Sequence, residues 1–202
     1  MSTSQKNLTQ AVNADIHGDE GEFGVNLGIP SCCVDFYLTN QDAAYQKQND
    51  YVPLVAANTK DLHSFNFWNN YVSQYFGYSL LSFFPCSFNC NESARFAQNT
   101  YDLINSILPI QASQIIHFQK QPILYTEYRG IYLFEGATCS NESVYLEDAT
   151  LHATVPKNSK TLDKILNLHS ITINGKDKLS FVDNAGEKSF IKSENIAFCT
   201  FK

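Results

Sequence analysis

The sequence predicts an α+β fold, with an N-terminal helical half packed on a C-terminal antiparallel sheet made of a hairpin and a meander. Two observations carry this. Up to Pro109 the apolar residues recur at three- and four-residue steps, the period of an amphipathic helix; beyond it they alternate, the period of a strand. Turn-forming groups then separate short β-branched and aromatic runs. Helices followed by strands, rather than interleaved with them, is the order of an α+β domain.

Taken in order, residues 1–24 read as a flexible leader ending in the Gly- and acid-rich HGDEGEFG. Residues 25–202 read as a single domain, helical over about 25–118 and β over about 119–202. Pro30 suits the first turn of a helix, where its missing N–H is not needed. That helix runs to about Tyr45, with Cys33, Phe36 and Tyr37 or Leu38 facing inward; QKQNDY follows as a loop and Pro53 to Asn58 as a short connection. Leu62, Phe65, Trp68, Val72, Tyr75 and Ser79 predict a second helix, capped by Asp61 or Ser64. Pro85 stops what precedes it. Asn89, Asn91 and Ser93 are capping residues ahead of Ala94, Ala97, Tyr101, Ile104 and Leu108, so a third helix runs from about Glu92 to Leu108.

In the second half, the runs from Ile123 to Tyr128 and from Ile131 to Phe134 flank Arg129-Gly130 and predict a hairpin. Val144 to Val155 alternates as a strand, and TLDKILNL is a short helix capped by Asn158 or Ser159. Runs at 171–173, 179–182, 189–191 and 196–198, separated by NGKD, DNAGE and SEN, predict the meander.

Composition narrows the function classes. A chain of 202 residues that is 44% hydrophobic buries a substantial core. A net charge of −6 with only 14 Lys and Arg argues against a nucleic-acid footprint; the lysines from Lys157 to Lys192 are interrupted by acids and read as a solvated face. No segment approaches the roughly 20 apolar residues of a membrane helix. The polar N-terminus has no secretory pattern, so a soluble cytoplasmic protein is expected, with its thiols reduced.

Against that background the cysteines are the informative feature. Four of six form two groups, Cys32-Cys33 in GIPSCCVDFY and Cys86/Cys90 in FFPCSFNCNES, and both groups fall at helix starts. Unpaired N–H groups and the helix dipole stabilise anions there, which favours thiolates, a metal or a cluster. Cys33, Cys86 and Cys90, with Cys32 or His63 as a fourth, would hold a zinc ion or an iron–sulfur cluster. Against this, there is no C-x-x-C, and adjacent helical residues point about 100° apart. Two other readings are plain burial among the surrounding phenylalanines, and a thiol nucleophile at Cys90 or Cys33 beside His63, His17 or His117.

The two segments resemble small uncharacterised prokaryotic proteins that carry a G-x-P-x-C-C-V segment followed by P-C-S-x-x-C-x-x-S. The matching residues here are Gly28, Pro30, Cys32, Cys33 and Val34, then Pro85, Cys86, Ser87, Cys90 and Ser93. The resemblance spans roughly residues 27–108. It implies that both cysteine segments belong to one unit, and it implies no reaction.

Elsewhere, His17, Asp19, Glu20 and Glu22 could hold a hard metal but read as solvated polarity, and Glu127, Arg129 and Glu135 read as strand charges at the hairpin. His117, His152 and His169 stand alone in sequence, and no phosphate-loop, dinucleotide, zincin or nucleophile-elbow motif occurs. The expected function is zinc or iron–sulfur binding through Cys32, Cys33, Cys86 and Cys90, in an accessory or enzymatic role. The rival is a metal-free module that presents its sheet to a protein partner.

Overall fold

The computed structural model describes residues 5–60, 64–127, 129–140, 142–155, 160–175, 178–192 and 196–202. The fold is α+β, with helices in the first half and two antiparallel sheets in the second. The sheet formed by β1 (Ile123–Thr126), β2 (Gly130–Glu135), β5 (Thr150–Thr154) and β9 (Ile196–Cys199) has the order β5-β2-β1-β9. A second sheet has the order β3-β4-β6-β7-β8, from β3 (Thr138–Cys139), β4 (Ser143–Tyr145), β6 (Leu168–Gly175), β7 (Lys178–Asp183) and β8 (Lys188–Lys192).

The first sheet is the middle layer. Strands β1, β2 and β9 alternate between two cores, because successive side chains leave opposite faces. Ile123, Tyr125, Ile131, Leu133 and Cys199 enter the core shared with the helices. Leu124, Tyr132, Phe134 and Phe198 enter the core shared with the second sheet. Burial on both faces is why these strands read as nearly continuous apolar runs.

The hairpin registers Ile123 against Leu133 and Thr126 against Gly130. Gly130 sits at φ +127°, and a Cβ there would stand 2.7 Å from Val155 Cγ1 and 2.8 Å from the Tyr132 hydroxyl oxygen. Gly130→Ala is therefore expected to destabilise the protein by about 1–3 kcal/mol, read as a lower urea midpoint; an unchanged midpoint would mean that the turn relaxes freely.

Several segments differ from the sequence expectation, each for a local physical reason. Residues assigned to a leader form α1 (Gln5–His17) and α2 (Glu20–Asn26), with Ala11, Ala14 and Gly24 buried. The acid-rich link is a cap, since Asp19 Oδ1 accepts the Glu22 N–H at 2.8 Å. The first cysteine helix breaks at Asn40 into α3 (Ser31–Thr39) and α4 (Gln41–Tyr45), and the expected connection is α5 (Val52–Asn58), with Pro53 in its first turn.

The long aromatic helix is absent among the described residues. Two 3-10 turns, Phe67–Asn69 and Tyr71–Phe76, replace it. Asn66 and Asn70 cause the break, because their side chains accept the N–H groups of Trp68 and Ser73 and compete with helical bonding. Asp61, Leu62 and His63 lie outside the described residues, as do Asn158 and Ser159.

The third helix, α6 (Asn91–Ile107), is followed directly by α7 (Pro109–Gln119). Pro109 starts that helix as well as ending the one before it. The run read as one strand over 144–155 is divided between β4 and β5 in different sheets, and α8 (Lys160–Leu166) follows them. The meander is correct for β6, β7 and β8, but β9 leaves it to pair with β1, with Cys199 opposite Ile123.

The return of β9 positions the site. Beyond it, Phe65 N–H donates to Thr200 O at 2.9 Å and Lys202 N–H to Phe65 O at 2.8 Å. Phe65 stacks on Phe88 with centroids 4.8 Å apart, and Phe88 lies between the second pair of cysteines.

Candidate metal centre

The site is assembled from two helix starts and one irregular loop. Pro30 is the N-cap of α3, which puts Cys32 and Cys33 in its first turn. Cys90 is the N-cap of α6. The loop carrying Cys86 is held by hydrogen bonds rather than by regular structure. Asn58 Nδ2 donates to Cys86 O at 2.7 Å, Phe88 N–H donates to the buried Thr59 hydroxyl at 2.9 Å, and Asn66 N–H donates to Asn89 Oδ1 at 2.9 Å. Stacking of Phe84 on Tyr51, centroids 4.4 Å apart, anchors the approach to Cys86.

These constraints bring all four sulfurs within 4.8 Å of one another, a group that could hold a metal ion. Cys32 Sγ is 3.7 Å from Cys90 Sγ, Cys33 Sγ is 3.9 Å from Cys90 Sγ, and the adjacent pair is 3.9 Å apart. The 100° offset of neighbouring helical residues thus does not keep Cys32 and Cys33 from sharing one centre. In the first turn their sulfurs converge on a third segment. Cys33 and Cys90 are buried, Cys86 is partly buried and Cys32 is exposed, so the centre meets solvent at one corner.

The electrostatics follow from this packing. The Cys33 thiol donates to Cys90, and that bond, reinforced by Ser93 in the first turn of α6, holds the Cys90 thiol down to about 4. The same bond, with burial, pushes Cys33 up; burial pushes Cys86 up to about 12 and raises Cys32. Cys90 is thus the thiol that the packing favours as thiolate, and its neighbours are favoured in the protonated form. A metal ion must displace the protons of the raised thiols, so its affinity rises with pH and falls as the thiols reprotonate.

Cys33 Sγ also accepts the Cys86 N–H at 3.3 Å, a bond that fixes the position of this sulfur and would steady it as a ligand. Asn69 holds the next layer. It is fully buried; its Nδ2 donates to Phe88 O at 3.0 Å and to Cys90 O at 2.9 Å, while its Oδ1 accepts the Ser93 hydroxyl at 2.7 Å. Sequence reasoning passed over Asn69, because its role depends on contacts more than 19 residues away, to Cys90 and Ser93. Asn69→Ala would remove these three bonds from a buried site, at a cost of about 1–3 kcal/mol. It should also speed metal transfer to a chelator, measured by stopped flow; an unchanged transfer rate would make Asn69 purely structural.

The other sequence candidates do not join this centre. His17 Nδ1 bonds Asn13 O at 2.6 Å, and His117 and His152 each place Nε2 2.7 Å from a Glu135 oxygen. His169 lies 3.3 Å from Glu147, and Glu127 pairs with Lys47 at 3.2 Å. Among the described residues no histidine is positioned as the base of a thiol nucleophile; His63 lies outside them. Cys139 is exposed on β3 and Cys199 is buried on β9, apart from the four-thiol group. No described helix is long and apolar enough to cross a membrane.

Comparison with known proteins adds no assignment: no family model matches the chain, and no curated protein or solved structure matches it significantly.

Proposed function

We propose that the chain binds a single zinc ion through Cys32, Cys33, Cys86 and Cys90, and that this ion is a structural staple for the helical layer. The sulfur spacing carries the reading. Four sulfurs about 2.3 Å from one ion, in a tetrahedron, stand about 3.8 Å apart; the close pairs here stand 3.7–3.9 Å apart. An iron–sulfur cluster places several irons and sulfides between its thiolates and holds them farther apart, so a single ion is favoured over a cluster.

Four thiolates complete the tetrahedron and leave no open position for substrate, which is the pattern of a structural rather than a catalytic zinc site. A zinc tetrathiolate carries two net negative charges. The N-terminal ends of α3 and α6 meet at it, and their dipoles stabilise that charge. The ion would tie these helices to the loop bearing Cys86, and through Phe88 to Phe65 and the end of β9. A reducing setting belongs to this reading, because the cysteines must stay reduced to serve as thiolate ligands.

The test is anaerobic purification followed by metal, acid-labile sulfide and absorbance measurements on one sample. Stoichiometric zinc without sulfide is the expected result. Iron with sulfide would replace zinc by a cluster at the same thiols. A metal-free, stably folded protein that takes up no zinc would overturn the reading in favour of an interaction module.

A further inference from the structure

Beside the metal centre lies a cleft of about 370 Å³, between α2, α3 and the loop at 82–84. Its volume is within the range of small-molecule sites. The walls are aromatic and aliphatic: Phe23 from α2, Ile29 from the link, Val34 and Tyr37 from α3, and Phe83 and Phe84 from the loop. Cys33 lies along the same wall. Gly24 lets the two helices approach, since a Cβ there would stand 3.0 Å from Val34 Cγ2.

The charged lining has one sign. Asp15 and Glu20 line the cleft with exposed carboxylates, and among the described residues no lysine, arginine or histidine does. Glu20 is steadied by Gln41 Nε2. Asp19 and Glu22 on the same stretch add to the negative field. An apolar cleft ringed by aromatics and carboxylates, with no cation of its own, favours an apolar molecule bearing a positive charge: the body fills the cleft, and the ammonium group meets the carboxylates and aromatic faces.

We propose that this cleft, formed by Phe23, Val34, Tyr37 and Phe84 with Asp15 and Glu20, binds an organic ammonium ion with an aryl or alkyl body. The inference does not rest on zinc at the neighbouring thiols, although Cys33 belongs to both.

The experiment is an NMR titration of the purified full chain with phenethylammonium, its neutral analogue 2-phenylethanol and its anionic analogue 3-phenylpropionate. Shift changes should centre on residues of α2, α3 and 82–84. The amine should bind about tenfold more tightly than the alcohol, with the carboxylate weakest. In the double variant Asp15→Asn/Glu20→Gln, whose altered side chains are exposed, that advantage should vanish while binding of the alcohol is unchanged. Equal binding of all three probes, no binding by any, or an advantage that survives the double variant would overturn the proposal. Zinc measured on the same samples separates failure of the cleft from failure of the metal reading.

Discussion

If zinc is held as proposed, Cys90→Ser should lower bound zinc from stoichiometric to background, while α6 keeps its start. Serine is among the preferred N-cap residues, and Cys90 occupies the N-cap of α6, so the substitution removes a ligand without removing the cap. What is lost is then attributable to the ion. In small zinc domains the metal contributes on the order of 10 kcal/mol or more of apparent folding energy. Here two cores form on either side of a shared sheet; Phe88 belongs to the first and Phe84 packs against it, so the cysteine loop abuts that core and not the second. The loss should therefore fall mainly on the helical layer. A decrease of about 5 kcal/mol would lower Tm by about 10–20 °C for a chain of this length. Hydrogen exchange should show α3 and the Cys86 loop opening before β6 and β7. Cys139→Ser, at an exposed position on β3, should leave both zinc and Tm unchanged. Full zinc retention in Cys90→Ser would remove Cys90 from the ligand set.

Phe88→Ala is expected to cost about 3–5 kcal/mol, in the range for a buried aromatic reduced to alanine. Phe88 has no exposed surface; it stacks on Phe65 and Tyr71 and meets Phe201 edge-on, with centroids 5.7 Å apart. Its position in the chain adds a second effect. It lies between Cys86 and Cys90, and its backbone is held by Thr59 and Asn69, so a cavity at its ring frees the loop that sets two ligands. Zinc affinity should fall along with stability, read by competition with a chromogenic chelator alongside urea denaturation. Because every ligand is still present, the variant should still bind zinc at full stoichiometry when the metal is in excess. Lost stability with unchanged affinity would mean that the loop is held by its hydrogen bonds alone.

Each of these expectations depends on contacts whose legibility in the sequence varies. The cysteine segments could be read because the signals are local: Pro30 marks one helix start, and the cluster Asn89, Asn91 and Ser93 marks another. Helix starts concentrate unpaired N–H groups, so thiols grouped at or near two of them suggest a shared site. The alternating runs around Arg129-Gly130 were legible for the same reason, since strand period and turn chemistry are properties of neighbouring residues.

The stretch from 64 to 79 shows where local reading stops. Its apolar spacing fits a helix, yet Asn66, Asn69 and Asn70 have partners along the chain and across it, and those bonds break the helix. Helix α1 leaves little apolar signal in the sequence, because its buried face is made of the alanines Ala11 and Ala14.

By itself the sequence determined the class of fold, the order of helices before strands, and the two chain segments that carry the thiols, all of which follow from residue period and capping chemistry within a few turns. Tertiary structure alone decided that all four sulfurs converge, that β9 leaves the meander for β1, and that Phe88 and Asn69 lock the ligand loop. The reason is physical: Cys32 and Cys90 are 58 residues apart, and only packing of the intervening aromatic segment closes that distance to 3.7 Å.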